Sequence, residues 1–161
     1  MAAWDAFFTD AEGAIAVKAG YGRSVGLSNL SPHNCAEGVP ELRIPYGGNV
    51  YASVEVAYQH SKAKFFEESL GEKSNDLSQP FLSMSAIQAK KAGGKGAFCA
   101  EVARLHGVSK TEAGRMYDQI AQEWFKINVG VMDALLRVKF SDENPKDRDI
   151  LLYTGERPIY E

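Results

Sequence analysis

The chain has 161 residues, 45% of them hydrophobic and 24% charged, which is ordinary globular usage and fits one domain around one core. Its net charge of −3 gives no global pull towards nucleic acid or anionic membrane, so any polyanion contact has to come from a local basic patch. No apolar run approaches the roughly 20 residues needed to span a bilayer, and Met1-Ala2-Ala3-Trp4-Asp5 lacks the basic-then-apolar order of a secretory leader.

In chain order, residues 14–17 read as a short strand, and residues 20–38, rich in Gly, Ser and Asn, as loop. Residues 41–45 and Asn49-Val50-Tyr51 flank Tyr46-Gly47-Gly48, the pattern of a hairpin with a glycine turn; Pro45 makes it an edge or irregular one. Ser53 is placed to cap a helix running to about Ser69. Residues 71–80 read as a polar loop, residues 85–92 as a short helix stopped by Gly93-Gly94, and residues 97–106 as another helix. Ser109-Lys110-Thr111-Glu112 has capping-box spacing and opens the longest helix. Ile120, Trp124, Ile127, Val131, Leu135 and Val138 step along it by three or four residues, and Phe125, Met132 and Leu136 add a second stripe. The expectation is a central helix buried on much of its circumference. Asn144-Pro145 restarts the chain as N-cap and first helical residue, and Gly155 ends that turn. With no repeat or linker, residues 1–161 read as a single compact domain of the α+β class, predominantly helical, with a small hairpin and a long central helix.

The chemistry concentrates in residues 53–63. Helical spacing puts Glu55, Gln59 and Lys62 on one face over two turns, beside a more apolar stripe of Val54, Ala57, Tyr58, Ser61 and Phe65. If the apolar stripe is buried, the carboxylate and the amine sit at the lip of the core, where partial desolvation makes acid, base or nucleophile chemistry possible. Spacing alone fits equally an ordinary exposed Glu/Lys pair. Other constellations carry less. His33, His60 and His106 are scattered without metal spacing, and Cys35 and Cys99 have no CxxC spacing or histidine in register. These read as unrelated histidines and two reduced thiols in a cytoplasmic protein, with no metal and no cofactor expected. Gly93-Gly94-Lys95-Gly96 fits a mobile loop or, in competition, phosphate contact by Lys90, Lys91 or backbone amides.

Glu55-x-x-Tyr58-Gln59-x-x-Lys62-Ala63 resembles the Glu-x-x-Phe-Gln-x-x-Lys-Ala signature of the NADAR family, named for an association with NAD and ADP-ribose. Four further elements follow in the family's order. They are Leu27-Ser28-Asn29-Leu30-Ser31-Pro32, Ala89-Lys90-Lys91-Ala92-Gly93, Val131-Met132-x-Ala134-Leu135 with Lys139-Phe140, and Leu151-Leu152-x-Thr154-Gly155. The family pattern usually continues into an Asp-x-x-Trp-Gly segment, whereas this chain ends at Ile159-Tyr160-Glu161. Either the domain is cut short here or this branch closes its pocket differently.

The resemblance implies an N-glycosidase that breaks the C1–N bond of a ribose-containing substrate. Its members release ADP-ribose from modified guanine bases or cleave ribosylamine intermediates of riboflavin synthesis. The bond breaks through an oxocarbenium-like sugar, so a carboxylate near C1 stabilises charge or activates water; Glu55 is the candidate. Lys62 is the candidate for protonating the leaving base or for attacking the opened sugar as a Schiff-base nucleophile. Asn29 and Gln59 are candidates for the ribose hydroxyls, Arg23 and Lys90 for phosphate, and Trp124 for stacking on base or ribose. The partners implied are an ADP-ribose-type or ribosyl-nucleotide substrate and ADP-ribosylated nucleic acid, with no membrane. Two readings of other classes compete: a non-catalytic ADP-ribose or nucleotide-binding module, and a structural protein that uses the helix at 109–140 as scaffold.

Overall fold

The computed structural model describes residues 15–16, 29, 43–74, 76–156 and 159–160. Two short strands, β2 (Ile44–Tyr46) and β3 (Asn49–Tyr51), pair antiparallel with Ile44 opposite Tyr51 and Tyr46 opposite Asn49. The turn between them is Gly47-Gly48, both at positive φ (56° and 84°), the conformation a two-residue hairpin turn needs and side chains resist. A second pair, β1 (Ile15–Ala16) and β4 (Ile159–Tyr160), is parallel and joins the two ends of the described chain. The other regular elements among the described residues are helical.

Helix α1 (Val54–Leu70) begins where Ser53 accepts a hydrogen bond from the Val56 amide at 3.2 Å. Two 3-10 turns, Glu72–Ser74 and Gln79–Ser83, break up the expected polar loop. Helix α2 (Ala86–Ala92) carries a complete capping box between Ser85 and Gln88. Helix α3 (Lys95–His106) ends on the left-handed Gly107, and the 30-residue α4 (Lys110–Lys139) starts from a Ser109 cap. Helix α5 (Pro145–Thr154) has Pro in its first turn, but Asn144 does not cap it with its side chain. That amide instead donates to Arg43 O and Val138 O and accepts from the Arg43 amide, tying the hairpin's entry to the end of α4.

The enclosed element is α1, not the longest helix. Through residues 54–63 of α1 nearly every position is buried, polar ones included. On α4 the buried run is Ala113, Tyr117, Ala121 and Trp124, then Leu135 and Lys139, while Phe125 is 64% exposed, Val129 75% and Ile127 43%. The expectation of a long helix buried on much of its circumference therefore fails over its middle. Ion pairs such as Glu123–Lys126 and Asp133–Arg137 mark its solvent face. The core closes around Phe66 of α1, whose ring lies 4.9 Å from Phe98 of α3 and 5.0 Å from Tyr117 of α4. Among the described residues no helix is long and apolar enough to cross a membrane.

Candidate functional site

The polar stripe of α1 is buried. Glu55 and Lys62 are each 8% exposed and Gln59 is 9%, so the solvent-exposed Glu/Lys pair that spacing also allowed is not what forms. Taking a carboxylate and an amine out of water costs several kcal/mol per ion unless hydrogen bonds replace the lost solvation, on the order of the whole margin that keeps a domain folded. The replacements are specific. Gln59 Nε2 donates to Glu55 Oε1 at 2.9 Å, a bond between successive turns of one helix. Lys62 Nζ donates to the carbonyl of Gly93 at 2.8 Å and to the hydroxyl of Tyr117 at 2.9 Å.

Aromatic faces complete the surroundings of the amine. The Nζ atom lies 5.1 Å from the ring centroid of Tyr117, 5.3 Å from Phe98 and 5.9 Å from Phe66. A carbonyl, a hydroxyl and three π faces are partners for an ammonium. An ammonium has three donors; two of them are taken by described residues.

Gly93 joins the two halves of the stripe. Its φ of −74° asks nothing special of the backbone, so it is glycine for space: a Cβ there would lie 1.8 Å from Gln59 Oε1 and 2.4 Å from Gln59 Cδ. The carbonyl oxygen of Gln59 is buried against this glycine without a hydrogen-bond partner among the described residues, while its amide nitrogen holds Glu55. The glycine segment is a tight corner between α2 and α3, with the Gly93 amide on Ala89 O and the Gly94 amide on Lys91 O. Those two amides are thus spent on helix ends, which removes them as phosphate donors and replaces the mobile loop by a fixed joint.

Asn29 also reaches the stripe, because its carbonyl accepts from the Glu55 amide at 3.0 Å and its side-chain amide lies 3.9 Å from Met132 Sδ. The remaining candidates sit apart. Trp124 is buried against Tyr58 at 5.5 Å and Phe65 at 5.7 Å, on the apolar flank of α1 beside the Glu55–Lys62 stripe. Lys90 and Lys91 are exposed in the last turn of α2. Arg23 and Cys35 lie outside the described residues. Sequence reasoning missed Tyr117, the hydroxyl partner of Lys62. The available signal was the Ala113-Tyr117-Ala121-Trp124 spacing, a helical stripe of two alanines and two aromatic rings, one of them carrying a hydroxyl.

Two titratable groups outside the stripe are perturbed. Burial pushes the Cys99 thiol up, with the Lys95 charge opposing, so Cys99 is no thiolate nucleophile at neutral pH. On the far flank of α1, burial pulls His60 below its usual value, with Lys64 acting in the same direction and Glu67 against it. His60 Nδ1 is bonded to the Tyr51 hydroxyl at 2.8 Å, and burial raises the Tyr51 phenol. Among the described residues no three His, Cys, Asp or Glu side chains are grouped to hold a metal. Comparison of the chain with protein-family models, characterised proteins and solved structures gives no match, so the likeness to NADAR proteins rests on the five sequence elements alone.

Proposed function

We propose that the protein is a cytoplasmic N-glycosidase that hydrolyses the C1–N bond of a ribose-containing substrate, with ADP-ribosylated guanine as the preferred one. The observation that carries this reading is the buried stripe itself: a carboxylate and an amine on one face of α1, each held by hydrogen bonds, at considerable cost to folding. The chemistry follows from those two groups. As the C1–N bond breaks, Lys62 gives a proton to the departing base nitrogen, and Glu55 stabilises the cationic sugar. Water then attacks C1, loses its proton to Glu55 and leaves a C1 hydroxyl, and solvent returns the proton from carboxylate to amine. Gln59 orients Glu55; Tyr117 and Gly93 orient Lys62. Schiff-base attack by Lys62 on the opened sugar is the competing role, and borohydride trapping of a sugar adduct during turnover distinguishes it from proton donation.

The test is incubation of the purified chain with ADP-ribosyl-guanine DNA, NAD and a phosphoribosylamino-pyrimidine, with products followed by mass. Release of ADP-ribose from the first substrate is the expected result, and Glu55→Gln should lower its rate by about 100-fold or more, the usual worth of a positioned acid or base. Cleavage of the pyrimidine alone assigns the riboflavin-precursor reaction instead. Tight ADP-ribose binding with no cleavage of any substrate makes the chain a binding module and overturns the enzymatic reading.

A further inference from the structure

Helix α4 carries an apolar seam that stands largely in water. Phe125, Val129, Met132 and Leu136 follow one another at spacings of four, three and four residues, the rhythm of a helix face that meets another helix. Phe125 is 64% exposed and Val129 75%, while Met132 and Leu136 are half-buried at the edge of the core. Two large apolar side chains in water one turn apart are a cost that a second surface would relieve. Neither takes part in the proposed reaction.

The charges beside the seam select that surface. On one flank stand Lys126 and Asp133, each one residue after a seam position, with side chains 67% and 58% exposed. Each is paired within its own helix, Lys126 to Glu123 and Asp133 to Arg137, and exposed pairs of this kind are weak enough to be shared. The opposite flank holds Ala121, Asn128 and Leu135, none of them charged. A flank with one cation and one anion complements itself when reversed. Laid antiparallel on a second copy, Phe125 meets the partner's Leu136 and Val129 meets the partner's Met132, and the two-fold axis repeats both layers. At a rise of 1.5 Å per residue, this register brings Lys126 to within about 3 Å, along the helix axis, of the partner's Asp133, again twice. A parallel pairing would instead set Lys126 and Asp133 against the uncharged flank. A uniformly acidic or basic partner gains nothing here, since one of the two charges would oppose it.

We infer that this face of α4 is a self-association surface, on which two copies of the chain pair antiparallel through the four seam residues, with Lys126 of each on the partner's Asp133. The inference does not rest on the glycosidase reading. The seam is only about 17 Å long. Its contact falls below the roughly 1,200 Å² of a standard interface, so the dimer is weak, with a Kd on the order of 100 µM. Sedimentation velocity from about tenfold below to about tenfold above that Kd should show a monomer–dimer equilibrium. Val129→Glu, on an exposed position, should weaken it about tenfold or more by burying an unpaired charge. Lys126→Glu and Asp133→Lys should each weaken it about tenfold or more by setting like charges opposite. A mixture of those two variants should associate at least as tightly as the wild type, because each now complements the other. That rescue needs both variants folded and the register antiparallel, so a folding defect cannot pass as support. Monomer at every concentration overturns the inference, whether the face is then covered by the same chain or kept for a different protein. A dimer insensitive to Val129→Glu lies on another surface and overturns it, and so does a mixture no tighter than the single variants.

Discussion

Tyr117→Phe isolates what one hydroxyl does for the buried amine. The variant keeps the ring whose centroid lies 5.1 Å from Lys62 Nζ and removes the oxygen 2.9 Å from it. Ring packing against Phe66 and Phe98 is untouched, so no cavity larger than one oxygen atom appears. A hydrogen bond to a charged group is worth about 1.5–3 kcal/mol. The loss should appear as that much less unfolding free energy, or about 3–12 °C in Tm for a chain of this size.

The same loss should show at the amine. With the Tyr117 oxygen gone, Lys62 Nζ keeps the Gly93 carbonyl as its described hydrogen-bond partner and is held less firmly. Modification of Lys62 by an amine-selective reagent at neutral pH, followed by peptide mass spectrometry, should then run faster in the variant by about tenfold or more, since 1.4 kcal/mol corresponds to a factor of ten. Exposed lysines such as Lys90 act as internal references in the same digest. Equal stability and equal Lys62 reactivity in both proteins would refute the role given to Tyr117. A drop in stability with unchanged reactivity would make the hydroxyl a packing group only.

Gly93→Ala should cost about 1–3 kcal/mol by overpacking, because its Cβ forces the Gln59 amide off Glu55; Gly96→Ala, in open space on α3, should be neutral or stabilising. Urea unfolding of the pair checks this, and equal values would mean Gln59 moves freely. Lys62→Met should change stability by no more than about 1 kcal/mol, the relieved desolvation offsetting the bonds lost to Gly93 O and Tyr117, while abolishing turnover; a large loss on unfolding would make the amine a structural tie. The fold should weaken as pH falls from about 6.5, the ordinary histidine value. His60 has a lowered pKa when folded, so below that value the unfolded chain binds more protons and stability falls with pH. His60→Gln should flatten this stretch of the pH–stability curve, and an unchanged slope would assign it to another group.

Local chemistry was the legible part. The hairpin follows from Gly47-Gly48, and the starts of three helices from Ser53, Ser85 and Ser109, because turns and caps are decided within four residues. The Glu55–Gln59–Lys62 face was legible from spacing, its burial was not. Periodicity weighs apolar residues, so it left the burial of Glu55, Gln59 and Lys62 on α1 open and took α4, with Phe125 and Ile127, as the buried central helix. Tyr117 and Gly93 escaped for a different reason. Each meets Lys62 across 55 or 31 positions, a contact made by helix packing that no local pattern encodes. Asn144 escaped likewise, since its pull from Arg43 crosses 101 positions and outcompetes the cap its place in sequence suggests.

The polar residues inside α1 divide into two kinds, and the division carries the functional argument. Ser53 is satisfied within its own helix, and its burial needs nothing beyond the fold. Lys62 is not of that kind. Its four-carbon stem could have been Leu or Met at no cost in shape, and the ammonium adds a desolvation penalty that Gly93 O and Tyr117 only offset. Gln59 adds a second cost, an acceptor buried without a partner among the described residues, beside a glycine small enough to admit it. A helix selected for stability alone would shed both. Both sit on the face that holds the buried Glu55 carboxylate, so the cost falls on the stripe from which the function is proposed.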